Sequence, residues 1–234
     1  MNRAKWWKKE SLVVDRMIRL GVKQYWAKLQ PKYWEATDRV LRCIDEGTPG
    51  GIHLAGSGIL LGLDEAERFA RAANVTAISW HKYCGAAGIY TSRHGGDTDT
   101  NAREFANRLA ACLGVKVLEV ELQRPAELHI ARVIYVDSTG KFDPSLVKGM
   151  PVGFVICARW QSQRRWLAEL DMSIAIALGK HGFGRLFTSE RPLVIVPVDL
   201  DDINLRRTAD AIHRHLINSS DRWRIRIDGL SLEV

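Results

Sequence analysis

The sequence predicts an α/β fold, with a mostly parallel central sheet flanked by helices and an N-terminal helical arm. Three observations carry this expectation. From residue 35 onward, short runs of apolar or β-branched residues alternate with amphipathic stretches, the order that produces βαβ units and parallel pairing. Clusters of glycine and polar residues separate the two kinds of segment. The net charge of +7 lies wholly within residues 1–34, where nine Lys or Arg meet two Asp or Glu, while residues 35–234 hold 25 of each sign.

The arm comes first. Val13, Met17 and Leu20, with Tyr25 and Leu29 less regularly, form a helical apolar stripe that ends near Pro31. Trp6, Trp7, Trp26 and Trp34 accompany it. Such an arm suits packing on the domain or on a partner subunit. Basic residues interleaved with aromatics also suit contact with nucleic acid or an anionic membrane surface, but no nucleic-acid motif accompanies them.

In the first half of the domain, Arg39–Asp45 reads as a short strand, 47–51 as a turn and Ile52–Ala55 as a second strand. Leu63–Asn74 is an amphipathic helix opened by Asp64. Val75–Trp80 is a β-branched, apolar strand. Asp99–Leu113 is a helix closed by Gly114, and Val115–Leu122 a strand. The second half continues with strands at 131–136, 153–158, 193–198 and 223–227, and helices at 166–179 and 202–218. Without an internal repeat or low-complexity linker, the economical reading is one domain, 35–234, plus the arm, 1–34.

The bulk composition excludes several classes. Hydrophobic residues at 46% and charged residues at 26% are ordinary for a globular chain. No apolar run reaches the roughly 18 residues that span a membrane, and the N-terminus makes a poor secretory signal. Cysteines at 43, 84, 112 and 157 are too scattered for a disulfide scaffold, so a reducing, cytoplasmic compartment is expected, with thiols free to bind metal.

Cys43-Ile44-Asp45 places a thiol and a carboxylate on one strand face. His81-Lys82-Tyr83-Cys84 directly follows the 75–80 strand and runs into Gly85-Ala86-Ala87-Gly88. Ligands of open α/β sheets gather outside the carboxyl ends of strands. Two neighbouring strands ending this way bring Cys43, His81 and Cys84 together, a zinc-type donor set with a fourth position left over.

The ordered pieces Cys43-Ile44-Asp45, His53-Leu54-Ala55-Gly56, helix 63–74 and His81-Lys82-Tyr83-Cys84-Gly85-Ala86 together resemble the β-class carbonic anhydrases. The resemblance spans residues 38 to about 90. It implies zinc held by Cys43, His81 and Cys84, with Asp45 as catalytic carboxylate or fourth ligand. It also implies substrate contacts at Ala55, Gly56 and Gly85, assembly as a homodimer or larger homo-oligomer, and hydration of CO2 to bicarbonate as the activity. Two alternatives stand beside it: hydrolysis of carbonyl sulfide or carbon disulfide on the same scaffold, and a non-catalytic zinc-stabilised assembly protein. The chain departs from the family at position 47, where Gly47 replaces the arginine that pairs with the aspartate. Arg42, Lys82 and Arg93 are the nearby cations that could replace it.

Other residues have plainer readings. Cys112 and Cys157 are expected to pack in the core. His53 reads as a buried, satisfied histidine or, with His94, as a proton shuttle. Residues 93–99 read as a polar loop with an N-cap or as a lid over the metal. Residues 124–129 form a polar stretch that could add groups to a pocket.

Overall fold

The computed structural model describes residues 3–122 and 128–232. Its strands pair in parallel and fall into two sheets. The first has the order β2-β1-β3-β4, from β1 (Val40–Arg42), β2 (Ile52–His53), β3 (Ala77–Trp80) and β4 (Lys116–Glu119). The second has the order β6-β5-β7-β8, from β5 (Val133–Asp137), β6 (Gly153–Cys157), β7 (Leu193–Asp199) and β8 (Ile225–Ile227), and the short β9 (Leu230–Ser231) also pairs with β7. The sheets meet at one edge, where the Val155 amide donates to the Ile44 carbonyl at 3.1 Å. The expected strands are thus shared between two sheets, because the ladder of β1 stops at Arg42 and the chain then turns.

Helices cover these sheets: α1 (Arg3–Leu20), α2 (Val22–Leu29), α3 (Leu63–Ala72), α4 (Gly85–His94), α5 (Thr98–Leu113), α6 (Gln163–Leu178) and α7 (Asp202–Leu216). Asp97 caps α5 by accepting from the Thr100 amide at 2.8 Å, and Gly114 closes it in the left-handed region. The 93–99 stretch is therefore the end of α4 and the cap of α5.

The second sheet is buried on both faces. On β5 and β7, Ile134, Val136, Leu193 and Ile195 face the larger core, shared with α3, α5 and α6. Their alternates Val133, Tyr135, Val194 and Val196 face a smaller core closed by Val14, Met17, Val22, Tyr25 and Trp26. Two buried faces explain why these strands read as continuous apolar runs. The basic N-terminal segment is therefore a structural layer of the fold. Its tryptophans are used in packing: Trp7 meets Phe183 and Phe187 edge-on at 4.9 and 5.2 Å, and Trp26 lies 6.0 Å from Phe142.

One core expectation is corrected. Cys157 is fully buried, but Cys112 is exposed. The buried stripe of α5 runs through Ala102, Phe105, Ala106, Leu109 and Ala110, which leaves Cys112 on the outward side of the last turn. No helix among the described residues is long and apolar enough to cross a membrane.

Candidate metal centre

Three neighbouring parallel strands deliver the site at their carboxyl ends. β1 pairs with β2 on one side and with β3 on the other. Cys43 and Asp45 follow β1, the turn Ala55–Gly58 follows β2, and His81 and Cys84 follow β3. Tyr83 adopts φ +57°, and its amide donates to Asp99 Oδ1 at 2.8 Å. This bend returns Cys84 towards β1 and lets it open α4. Cys43-Ile44-Asp45 sits just past the strand, and its turn is closed by Thr48, which donates through Oγ1 to the Asp45 carbonyl at 2.6 Å.

The candidate ligand atoms of Cys43, Asp45, His81 and Cys84 all lie within 4.8 Å of one another, and all four residues are buried. Cys43 Sγ is 3.7 Å from Cys84 Sγ, and His81 Nε2 is 3.3 Å from Asp45 Oδ2. His81 Nδ1 is engaged by the Lys82 carbonyl at 2.9 Å. Its Nε2 is buried and has no hydrogen bond of ordinary geometry. A buried imidazole nitrogen without a partner, facing two sulfurs and a carboxylate, fits a metal ion in place of protons. The four side chains could therefore hold a metal ion.

The four side chains differ in their electrostatics. Cys43 and Cys84 share a contact at 3.7 Å between their sulfurs, which lowers the pKa of the Cys43 thiol against burial and, with burial, raises that of Cys84. Burial opposes a charge on His81, but the adjacent Cys43 thiolate and Asp45 carboxylate together raise its pKa to about 9. A cation supplied to this cluster would displace protons from its donors.

The surrounding chain supports the sulfur. The Gly56 amide donates to Cys43 Sγ at 3.2 Å. Gly56 and Ser57 both have left-handed φ, +56° and +53°, and a Cβ on Gly56 would fall 2.7 Å from Ile59 Cγ2. Only glycine suits that position. The turn is anchored by Ser57 Oγ on the Ser79 carbonyl at 2.6 Å. It is also held by Glu169 of α6, whose Oε1 accepts from the Ala55 amide at 2.8 Å. Glu169 is buried, and burial lifts its pKa to about 7 against the hydrogen bonds from Ala55 and Gln161.

Of the expected substrate contacts, Gly85 lines a cavity of about 520 Å3 together with Tyr83, Ile89, His129, Met172 and Ile176. Ala55 and Gly56 direct their amides inward, to Glu169 and Cys43. The expected replacement cations lie elsewhere. Arg42 pairs with Asp38 at 2.7 Å, Lys82 is 3.9 Å from Glu119, and Arg93 is exposed near the end of α4. His129 instead approaches Asp45, with Nδ1 3.5 Å from Oδ1, and is 2.9 Å from Glu46 Oε2. Gly47 has φ +78°, a conformation that an arginine at that position adopts only with strain.

His53 is fully buried, with its ring nitrogens 2.7 Å from the carbonyls of Cys43 and Gly50. It braces the 43–51 turn and does not face solvent. His94 stacks on Tyr90 at 4.3 Å. Of the polar 124–129 stretch, residues 124–127 lie outside the described residues. Sequence reasoning missed Glu46 and Glu169; His129 belongs to the 124–129 stretch expected to add groups to a pocket, and it lines the cavity beside Gly85. A signal existed for Glu169, an acid set within the apolar stripe Trp166, Leu167, Leu170 and Ile174 of α6.

Against known proteins, no family model, no curated protein and no solved structure matches the chain.

Proposed function

We propose that the chain is a zinc enzyme that hydrates CO2 to bicarbonate, in the manner of the β-class carbonic anhydrases that its motifs resemble. The buried Cys43, Asp45, His81 and Cys84 cluster carries this reading. Thiolate and imidazole donors favour zinc over magnesium or calcium. For Zn–S bonds of about 2.3 Å, a tetrahedral shell separates its two sulfurs by about 3.8 Å, and Cys43 and Cys84 are 3.7 Å apart. For Zn–N and Zn–O bonds of about 2.1 Å the corresponding edge is about 3.4 Å, and His81 Nε2 and Asp45 Oδ2 are 3.3 Å apart.

Zinc, when bound, would supply acidity that lowers the pKa of a water molecule to about 7. Cys43, His81 and Cys84 would hold the ion, and the Gly56 amide, which donates to Cys43 Sγ, would favour its charged form. Asp45 would accept a hydrogen bond from the attacking water and so orient its oxygen. A largely apolar cavity lies beside Gly85, the residue after Cys84, and suits a small nonpolar molecule.

The 3.3 Å edge between His81 and Asp45 also favours a second reading. With Asp45 as fourth ligand the shell is closed, and the protein is a non-catalytic, zinc-stabilised assembly unit. Zinc content and CO2 hydration measured on one purified sample separate the two. We expect close to one zinc per chain and hydration above the uncatalysed rate. Less than half a zinc per chain overturns both readings. Full zinc with no hydration across pH 6–9 leaves the closed shell, unless carbonyl sulfide or carbon disulfide is consumed.

A further inference from the structure

We propose that the carboxyl ends of β5, β6 and β7 form a second ligand site, for a small sugar phosphate, in which Arg159 and Arg207 bind the phosphate and Asp199 accepts from the sugar hydroxyls. None of the four candidate metal ligands lines this site, so it stands apart from the proposed function.

The topology makes the opening. In the order β6-β5-β7-β8 the chain runs from β5 to its neighbour on one side, then crosses to β7 on the other. β5 and β7 pair directly, with Asp137 opposite Val198, but the segments that leave them part. The segment after β5 turns to the smaller core, where Phe142 and Val147 pack. The segment after β7 enters α7, whose Ala211, Ile212 and Leu216 join the larger core. Neighbouring parallel strands whose connections diverge in this way leave a crevice outside their carboxyl ends, and α/β sheets bind ligands in such crevices. A cavity of about 450 Å3 lies here, and Ser138, Arg159, Gln163, Asp199, Arg207 and Thr208 are among its lining residues. Ser138 Oγ and Thr208 Oγ1, 3.2 Å apart, tie α7 to the end of β5.

The charges select the ligand. Arg159 and Arg207 are exposed. Each gives one N–H to a neutral oxygen, Arg159 to the Thr139 carbonyl at 3.3 Å and Arg207 to Asn204 Oδ1 at 3.2 Å. Most of the five donors on each guanidinium therefore remain for a ligand, in a fork that fits phosphate. Gln163, the first residue of α6, lines the same cavity. That helix has no acid in its first turn and no side-chain cap from Ser162, so its opening amides add to the positive field.

The two acids of the cavity differ. Asp201 is spent on α7, where Oδ1 accepts from the Ile203 and Asn204 amides and Oδ2 from the Asn204 side chain. Asp199 is buried at the end of β7, and its Oδ1 accepts from the Leu200 amide at 2.7 Å. A carboxylate in this position repels an anion and accepts from hydroxyls. Two arginines exceed the single charge of a carboxylate ligand and match a phosphate monoester, which carries about 1.5 to 2 negative charges at neutral pH. A ligand that pairs phosphate with hydroxyl groups satisfies both ends.

Isothermal titration calorimetry of the full chain with ribose 5-phosphate tests this, with inorganic phosphate, ribose and serine as comparison probes. We expect saturable binding of ribose 5-phosphate, about tenfold or more tighter than that of any other probe. Arg159→Ala and Arg207→Ala should each weaken it about tenfold, the loss of a charge-assisted hydrogen bond. Asp199→Asn should weaken ribose 5-phosphate by a similar factor without weakening inorganic phosphate. Both arginines are exposed, so the melting temperatures of their variants should match wild type. Prior chelation should leave the affinity unchanged. Absence of saturable binding overturns the proposal. So does equal affinity for inorganic phosphate, which reduces the site to an adventitious ion only, and so does tighter binding of serine. An affinity that both arginine variants retain also overturns it, as does one lost on chelation, which would put the phosphate on the metal.

Discussion

At the residue scale, the candidate metal cluster depends on groups outside its four side chains. Glu169 acts through two steps of backbone: it holds the Ala55 amide, and the next amide, that of Gly56, donates to Cys43 Sγ. Outer partners of this kind tune ligand basicity and orientation, and their loss typically weakens metal affinity by about 10–100-fold. Glu169→Ala should weaken zinc binding by that factor in a chelator competition, while Glu169→Gln, which can still accept from Ala55, should stay within a few-fold of wild type. Equal affinity for all three proteins would show that the turn holds itself. The sequence displayed the ligands because each stands in a recognisable motif at a strand end. It concealed the partners of His129 and Glu169, which are long-range contacts, Glu46 with His129 and Ala55 with Glu169, although Glu169 stood out as an acid within an apolar stripe.

At the element scale, the basic N-terminal helices act as a wall of the second sheet. Trp7 and Trp26 have their rings enclosed, so a nucleic-acid base cannot stack on them without undocking α1 or α2. Docking of α1 centres on Arg132, which is fully buried, donates to Asp15 and Ser11, and lies over the Trp7 ring at 4.4 Å. Glu10, on the same helix, has a buried Oε1 with no hydrogen-bond partner. Burial raises its pKa from 4.5 to about 8, against the attraction of Arg132. A carboxyl with a raised folded-state pKa contributes stability that is complete below about pH 4.5 and is lost as pH rises through about 8. The melting temperature of wild type relative to Glu10→Gln should therefore fall between pH 5 and pH 8.5. Parallel curves for the two proteins over that range would show that Glu10 titrates normally in the folded chain.

At the scale of the whole molecule, the candidate metal cluster sits where the two sheets meet. Ile44, between Cys43 and Asp45, accepts the Val155 amide of β6, and Glu169 of α6 reaches back to the turn after β2. An ion bound there ties strands of the first sheet to elements of the second. It stabilises the folded chain by mass action, by about 2.7 kcal/mol at a free zinc concentration 100 times Kd. For a chain of this size that is a rise in Tm of roughly 5–10 °C. Chelation followed by a thermal melt should show a drop of this order, reversed by adding zinc. An unchanged Tm would mean that the cluster does not bind the ion when folded.

What the sequence by itself determined is the alternation of strand and helix, the parallel pairing, the helical character of residues 3–29 and the meeting of Cys43, His81 and Cys84. These follow from local periodicity, turn chemistry and the rule that parallel strands gather their ligands at carboxyl ends. What only the tertiary structure decided is the division into two sheets, the burial of the arm against β5 and β7, the outward face of Cys112 and the company kept by Asp45. Each of these depends on which distant surfaces pack together, and hydrophobic burial has no direction along the chain. A residue's own neighbours in sequence can therefore specify its conformation and chemistry, while its partners are set by the shape the whole chain closes into.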